Sequence, residues 1–349
     1  MLPHRSLKQP VRLGVPFAAL LLVLATLPRV TQAQAQRTPD PPISIEISAQ
    51  RLPGFDHTDS SRRQFGLLEF RGGLVLTSSF KQFGGLSAIK VQADGANFIA
   101  LSDKGWWLKG RIVYDGTRPS GIADAQMAPI LGPDGLALAA RGWYDTESIA
   151  QDGGTLYVGI ERVNRIVRLD YGKDGLLARG QPIDVPPGVR ALPNNKGLEA
   201  LVFVPRGLPL GGALIAISER GLNRDGNLLA FIIGGPRPGQ FALRRTADFD
   251  VSDAALLPSG DLLVLERKFS WTTGLFVRIR RVRLTDIQPG ALVDGPVLFE
   301  ADLGYAIDNL EGLSVHRGAN GETVLTMVSD DNFSALQRTL LLQFTLVEP

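Results

Sequence analysis

Acidic residues recur at regular intervals between residues 84 and 333, each beside a short apolar segment. The repeated pattern is an apolar segment, a turn, and a second apolar segment that ends on an acid. Setting the copies in register aligns one position in the first segments, at spacings of 60, 52, 54 and 58 residues: Ser87, Glu147, Glu199, Asp253 and Glu311. A second aligned position lies at the ends of the second segments: Asp103, Glu161, Glu219, Glu266 and Asp330. Carboxylate oxygens are the ligands that calcium and magnesium prefer, and carboxyl groups also serve as general acids and bases.

Basic residues directly follow four of the second-segment acids, at Lys104, Arg162, Arg220 and Arg267. Such cations bind phosphate or carboxylate oxygens, and a carboxylate cluster needs cations, metal ions or protons to offset its self-repulsion. We therefore interpret the four bases as candidate substrate-binding residues. The candidate catalytic acids are Glu199, Glu311, Glu147, Glu219 and Asp330, and the candidate metal ligands are Asp103, Glu161, Asp253 and Glu266. The alternative is that each acid only caps a turn or pairs with its neighbouring base.

The elements that carry these residues predict an all-β fold. Each repeat contains three or four short strands joined by turns, a pattern that favours a β-propeller with five detectable blades. Residues 43–77 could form a degenerate sixth blade. Alternatively, one of their strands completes the last blade, so that an N-terminal strand closes the ring and leaves no free edge. In each blade the first strand begins beside the end of the second, so we expect the aligned acids to ring one mouth of the central channel.

The first 35 residues have the pattern of a secretory signal peptide. A basic start is followed by a mostly apolar run of about 15 residues and an Ala-x-Ala site that ends at Ala35. The alternative is an uncleaved anchor, but a membrane-spanning helix needs about 20 apolar residues. The predicted organisation is a signal peptide at 1–35, a leader and possible closing strand at 36–64, and the propeller domain at 65–349. We expect a periplasmic or secreted protein with no stable membrane anchor after cleavage.

Composition excludes several classes of function. Removal of residues 1–35 leaves 33 basic side chains against 35 acidic ones, so the basic balance of the full chain gives no argument for nucleic-acid binding. The chain has no cysteine, which excludes disulfides and thiolate chemistry. The sequence also lacks the Gly-x-Ser-x-Gly elbow of α/β-hydrolase esterases. Trp106 and Trp107 could line the mouth as an aromatic wall or pack between two blades.

Several of these segments resemble one known family, the phytase-like propeller proteins described as "esterase-like activity of phytase". The motifs are Phe-Gly-Gly-Leu-Ser at 83–87, Ala-Leu-Ser-Asp-Lys-Gly at 100–105, Asp-Thr-Glu-Ser-Ile at 145–149, Asn-Lys-Gly-Leu-Glu-Ala-Leu at 195–201, Ile-Ser-Glu-Arg at 217–220 and Asp-Asn-Leu-Glu-Gly-Leu at 308–313. The resemblance covers roughly residues 65–345. It implies an exported bacterial β-propeller that hydrolyses phosphate or other esters.

Two functional hypotheses follow from these observations. In the first, calcium held by mouth acids such as Glu199, Glu311 and Glu147 binds a small-molecule ester or phosphate substrate and activates a water molecule. In this hypothesis Glu219 or Asp330 is the general base. The second is a non-catalytic periplasmic propeller whose mouth holds a ligand or a partner protein.

Overall fold

The short apolar segments form strands because Gly- and Pro-rich turns separate them and because their apolar residues fit a pleated, buried surface. The computed structural model describes residues 40–347, and the predicted signal peptide at 1–35 lies outside the described residues. Of the residues described, 52% lie in strands and 7% in helices. Between residues 40 and 347 no helix is long and apolar enough to cross a membrane.

The strands and helices are as follows. In chain order the strands are β1 (Ile43–Ser44), β2 (Ser48–Arg51), β3 (Gln64–Phe65), β4 (Leu68–Thr77), β5 (Leu86–Val91), β6 (Asn97–Ser102), β7 (Trp106–Asp115), β8 (Arg118–Pro129), β9 (Thr146–Asp152), β10 (Thr155–Ile160), β11 (Arg165–Leu169), β12 (Gln181–Pro182), β13 (Leu198–Phe203), β14 (Ala213–Leu222), β15 (Leu228–Gly234), β16 (Gly239–Leu243), β17 (Asp250–Leu256), β18 (Leu262–Ser270), β19 (Gly274–Val282), β20 (Leu292–Val293), β21 (Val297–Asp302), β22 (Leu310–Arg317), β23 (Thr323–Ser329) and β24 (Thr339–Leu346). The helices are the α-helical turns α1 (Tyr171–Asp174) and α2 (Pro187–Arg190) and the 3-10 turns Leu138–Arg141, Glu161–Val163, Gly175–Leu177 and Leu284–Asp286.

These strands form five sheets, which are the blades of a five-bladed β-propeller. The strand orders, from blade one to blade five, are β1-β8-β7-β6-β5, β12-β11-β10-β9, β13-β14-β15-β16-β20, β17-β18-β19-β21 and β2-β4-β24-β23-β22. The all-β prediction and the five detected blades are confirmed. The described residues form no sixth sheet, because residues 43–77 add β1 to blade one and β2, β3 and β4 to blade five.

The ring is closed by the N-terminal part of the domain, as predicted. Strand β4 pairs antiparallel with β24 from Leu68, opposite Leu346, to Leu76, opposite Thr339. The two strands approach closely at Gly73, where a Cβ atom would lie 2.7 Å from Leu52 Cδ1 and 2.8 Å from Leu342 Cδ2. Blade five is therefore built from strands at both ends of the domain, and the pairing of β4 with β24 leaves no unpaired strand edge between them.

The innermost strands of the blades, β5, β9, β13, β17 and β22, contact their neighbours around the central channel. At one end of the channel all five strands line a cavity of about 170 Å³. Apolar side chains fill the spaces between adjacent blades, and each inter-blade layer is a separate buried cluster. The inner strands are thus held rigidly, which fixes the side chains at their opposite, N-terminal ends.

A cluster of phenylalanines holds blades four and five together. Phe344 of β24 is fully buried, and its ring centroid lies 5.1 Å from Phe55, 5.3 Å from Phe70 and 5.6 Å from Phe299. We expect Phe344→Ala to lower the free energy of unfolding by about 3–5 kcal/mol, since it leaves a cavity in this cluster. Urea unfolding measures the change. The exposed Phe269 is the matched control, and Phe269→Ala should change the same quantity by less than about 0.5 kcal/mol.

Candidate functional site

Each inner strand carries one β-bulge near its first residue, and the bulge marks the mouth of the channel. The residue left out of the antiparallel pairing is Ser87, Glu147, Glu199, Ser252 or Glu311 in blades one to five. Bulges turn a side chain away from the regular alternation of a strand. The alignment of the repeats with each other identified this position correctly in every blade except the fourth, where it indicated Asp253 instead of Ser252.

The second aligned position is also displaced by one residue in blade four. Glu266 pairs with Val251, whereas the equivalent partners in blades one, three and five are Ser102, Ser218 and Ser329. The residue that follows this pair is Asp103, Glu161, Glu219 or Asp330 in the other blades and Arg267 in blade four. The prediction that Asp253 and Glu266 belong to the acidic ring is therefore wrong. A slip of one residue moves a strand side chain to the opposite face, and an alignment based on acid type could not detect it.

Seven of the nine predicted acids do come together, and they define the acidic mouth: Asp103, Glu147, Glu161, Glu199, Glu219, Glu311 and Asp330. Four of them (Glu161, Glu199, Glu311 and Asp330) are buried, and the other three are partly exposed. Backbone amides orient two of the carboxylates. The amide of Gly197 donates to Glu161 Oε1 at 2.7 Å, and that of Asn332 donates to Asp330 Oδ1 at 2.6 Å.

The guanidinium group of Arg267 lies among these acids. The Nη2 atom of Arg267 is 3.1 Å from Glu311 Oε1, 3.4 Å from Glu219 Oε1 and 4.0 Å from Glu199 Oε1. Asn309 joins the same network, because its side-chain oxygen accepts from Arg267 Nη1 at 2.8 Å and its amide donates to Glu311 Oε1 at 2.8 Å. Sequence reasoning gave Asn309 no role, although it lies two residues before the strongest candidate acid of its repeat.

Burial and mutual repulsion raise the pKa values of the mouth carboxyls. Burial is the main cause at Glu161, whose pKa rises to about 7, and at Asp330, whose pKa rises to about 8. Burial, reinforced by neighbouring carboxylates, raises the pKa values of Glu147 and Glu199 well above their usual range. The pKa of Glu311 is raised by burial too, but the Arg267 charge and the Asn309 hydrogen bond oppose the increase. Burial therefore favours the protonated form throughout the mouth, and Arg267 and Asn309 counteract this preference at Glu311.

A glycine leaves room for one of the mouth acids. Gly85 has a left-handed backbone with φ of 60°, and a Cβ atom there would lie 2.3 Å from Asp103 Oδ1 and 2.5 Å from the ring of Phe333. Only glycine combines this backbone conformation with so close an approach. The Gly-Gly pair at 84–85 in the first repeat is thus part of the mouth.

Within residues 40–347 the remaining predicted bases have partners other than the mouth acids. The ammonium group of Lys104 lies over the ring of Phe333, and the guanidinium of Arg162 lies 4.7 Å from the ring centroid of Tyr144. These two cations remain at the rim of the mouth, where they lie on aromatic rings. Arg220 instead forms an ion pair with Asp250, which also pairs with Arg245 at 2.8 Å. It is thus engaged in a structural contact.

The two displaced acids have structural partners elsewhere. Asp253 is buried, its carboxylate accepts from the backbone amides of Ala254 and Leu313 at 2.7 Å each, and burial raises its pKa to about 7. Glu266 is fully buried between two arginines, at 2.7 Å from Arg278 Nε and 2.7 Å from Arg280 Nε.

The tryptophan pair does not line the mouth. Trp107 is fully buried in the apolar layer between blades one and two, and Trp106 packs edge-on against Phe80. Of the two alternatives, packing between blades is confirmed.

The mouth does not fit a resident calcium ion in this arrangement. Calcium needs six to eight oxygen ligands at about 2.3–2.6 Å, and between residues 40 and 347 no group of three or more His, Asp or Glu side chains has suitable spacing. The guanidinium of Arg267 fills the space that three of the carboxylates share. The calcium site stays a prediction that would require these groups to rearrange.

The raised pKa values predict how stability depends on pH. The unfolded chain releases the protons of Asp330 and Glu161 near their ordinary values of 3.8 and 4.5, whereas the folded chain keeps them up to about 8 and about 7. The folded state binds more protons in this window, so the free energy of unfolding falls as pH rises through it. We expect the melting temperature to fall by several degrees between about pH 5 and about pH 8.5. Asp330→Asn should flatten this slope, and an equally steep slope in that variant would contradict the assignment.

Comparison with known proteins places the chain in one family. The model of the phytase-like family, described as "esterase-like activity of phytase", matches residues 81–333. No curated protein matches the chain significantly. Solved propellers are similar only at low identity. The PQQ-bound aldose sugar dehydrogenase of Streptomyces coelicolor aligns over 87% of this chain and all (100%) of that one, with 14% identity and a TM-score of 0.42.

Two further structures show the same level of similarity. The Cps50 (Swd1) β-propeller domain of Myceliophteria thermophila aligns over 72% of this chain and 67% of its own, with 12% identity and a TM-score of 0.34. YCF48 bound to a D1 peptide aligns over 71% of this chain and 63% of its own, with 11% identity and a TM-score of 0.34. The chain thus spans less than two thirds of the length of YCF48. Because the family match extends over five bulged inner strands and all seven mouth acids, the chain belongs to the phytase-like family described as "esterase-like activity of phytase".

Proposed function

We propose that the acidic mouth is the active site of an exported hydrolase that cleaves small-molecule esters with its own carboxyl groups. The observation that carries this proposal is the contrast between two neighbouring acids. Glu311 has Arg267 at 3.1 Å and a hydrogen bond from Asn309, both of which favour its ionised form. Asp330 has no cation within ion-pair distance in the described structure, and its pKa of about 8 keeps it protonated at neutral pH. Paired carboxyls with different protonation states are suited to general base and general acid roles.

In the proposed reaction Glu311 accepts a proton from a water molecule whose oxygen attacks the ester carbon or phosphorus. The bond to the leaving oxygen breaks, and Asp330 donates its proton to that oxygen. An acid and an alcohol are released, and exchange with solvent returns a proton to Asp330 and removes one from Glu311. Arg267, together with the rim cations Lys104 and Arg162, supplies the positive charge for the developing oxyanion. No metal ion takes part in these proposed steps.

The charge balance of the mouth favours uncharged carboxylic esters over phosphomonoesters. In the described structure seven carboxyls surround the partly buried Arg267, and the rim cations rest on aromatic rings. A phosphomonoester dianion would be repelled by every ionised carboxylate. A carboxylic ester carries no charge until its transition state, so it enters the mouth without this penalty. Export is supported by the pattern of residues 1–35, which predicts a periplasmic or secreted enzyme.

The experiment compares three substrates on the purified chain without its first 35 residues: p-nitrophenyl acetate, p-nitrophenyl phosphate and phytate. Each is assayed with calcium chloride and with an excess of chelator. We expect hydrolysis of the acetate ester under both conditions and little or no phosphate release. Calcium-dependent phosphate release would instead support a metal-assisted phosphoesterase. Failure to hydrolyse any substrate would contradict the catalytic proposal.

A second candidate function is a non-catalytic propeller that binds a partner protein on the mouth face. The observation that favours it is the exposure of apolar side chains in the loops of this face. Trp271, at the tip of the β18–β19 hairpin, and Leu336, in the β23–β24 loop, are each 95% exposed. Exposed apolar groups of this size often mark interaction sites. This function predicts no turnover, together with saturable partner binding that Trp271→Ala weakens and Glu311→Gln does not.

A further inference from the structure

We propose that Arg267 is the built-in cation of the acidic mouth, occupying the place of a divalent metal ion and making the site independent of metal. This inference rests on the proposed function for the location of the site, but its test does not require turnover. It concerns the role of one side chain that the sequence identified only as one of four candidate substrate-binding bases.

The strand register shows that Arg267 occupies a position that is acidic in every other blade. The equivalent residues are Asp103, Glu161, Glu219 and Asp330. Blade four also has a serine, Ser252, where three of the other blades have a glutamate at the bulge. Blade four thus replaces an acid by a cation at one mouth position and contributes no acid at the other. Arg267 therefore places a positive charge at a position where each of the other four blades carries an acid.

The contacts of Arg267 differ from those of the structural arginines in this chain. Arg280 uses Nε and Nη2 to hold the two oxygens of one carboxylate, that of Glu266, in a paired arrangement. Arg267 instead directs a single atom, Nη2, toward carboxylates at 3.1, 3.4 and 4.0 Å, which belong to blades three and five. A metal ion is likewise coordinated by single oxygens from several carboxylates, whereas an arginine in a structural ion pair usually binds both oxygens of one carboxylate.

The partial burial of the Arg267 side chain supports the same role. The side chain is 26% exposed, and its Nε atom is buried without a hydrogen-bond partner in the described part of the chain. The aliphatic part of the side chain thus runs through the protein so that the charged end reaches the carboxylates. A buried donor without a partner is costly. The position of the positive charge is therefore maintained at some cost in hydrogen bonding.

Loss of this cation should leave a site that accepts a metal ion. Glu199, Glu219 and Glu311 would lose their shared positive partner, and their repulsion would favour any hard cation that could replace it. We expect Arg267→Ala to bind Ca²⁺ and its luminescent analogue Tb³⁺ saturably, whereas the natural chain does not. Calcium should raise the melting temperature of this variant by several degrees at ~100 times its dissociation constant. Arg267→Lys keeps the charge and should behave like the natural chain.

The matched control is Arg220→Ala, which removes an arginine of the same face whose ion-pair partner is Asp250 rather than one of the mouth acids. It should show no response to calcium. The measurements are calorimetric titration with calcium chloride, Tb³⁺ luminescence and melting curves at about pH 8.5, above the pKa of about 7 at Glu161 and of about 8 at Asp330. If Arg267→Ala does not fold in metal-free buffer, refolding from urea with and without calcium chloride replaces the melting curves, and recovery only with calcium supports the proposal.

Three outcomes would overturn the inference. These are calcium binding by the natural chain as tight as that of Arg267→Ala, no calcium response of that variant, and failure of the variant to refold under either condition. The result is separable from the test of the proposed reaction, because metal binding is read without substrate. A chain that hydrolyses no ester but gains a calcium site on loss of Arg267 would refute the reaction and retain the inference.

Discussion

Replacing Glu311 by glutamine is expected to reduce ester turnover at least ~100-fold, because the variant lacks the general base of the proposed reaction. Glutamine has nearly the same shape, and its side-chain oxygen can still accept from Asn309. Its neutral side chain also removes one charge from a crowded set of carboxylates. The melting temperature should therefore stay the same or increase. Loss of activity with no loss of stability would identify Glu311 as a functional residue.

The control for this experiment is Glu69→Gln, which changes an exposed glutamate of β4 that lies outside the acidic mouth. Its turnover should equal that of the natural chain. A second variant, Asp330→Asn, should remove the high-pH limit of the rate profile, since the proposed general acid has a pKa of about 8. Full turnover in Glu311→Gln would rule out the proposed base. A melting temperature that fell sharply would make Glu311 structural.

The opposite result is expected for Glu266, which the sequence placed in the same ring. Its carboxylate is fully buried and binds Arg278 at 2.7 Å and Arg280 through both of its oxygens. Glu266→Ala would leave two buried guanidinium groups without this partner, and we expect a loss of about 3–5 kcal/mol in the free energy of unfolding. Urea unfolding is the measurement, and turnover per folded molecule should change little.

Glu300→Ala is the matched control, because Glu300 lies on β21 directly opposite Arg278 but is exposed. Its effect should remain within about 0.5 kcal/mol. If Glu266→Ala were as stable as this control, the buried network would contribute nothing to the fold. If it lost activity without losing stability, Glu266 would belong to the mouth after all.

The fold itself was largely predictable from the sequence. Short apolar segments separated by Gly and Pro turns, repeated at a nearly constant interval, are sufficient to predict blades, because hydrophobic periodicity and turn chemistry act locally. The closing strand was also predictable, since the last repeat ends at β24 without an outer strand. The sequence did not settle whether residues 43–77 form a sixth blade. That outcome depends on pairing between β4 and β24, which lie at opposite ends of the domain.

The candidate site was predictable in blades one, two, three and five but not in blade four. Alignment of acids with acids found the bulged glutamates Glu147, Glu199 and Glu311, because bulge and carboxylate recur together. It misplaced Asp253 and Glu266, since blade four has acids one residue away from the mouth positions. In a strand one residue decides which face a side chain occupies, and only the hydrogen-bond register of β17 with β18 reveals it.

The sequence by itself therefore determined the repeat, the strand content and the concentration of acids at one face of the ring. Tertiary structure alone decided that Arg267 stands among the acids, that Asn309 links it to Glu311, and that Arg220 is engaged with Asp250. The physical reason is that repeat patterns are set by local backbone preference. The charge environment of a carboxyl group is set by side chains that arrive from other blades, and its pKa depends on burial that no single segment contains.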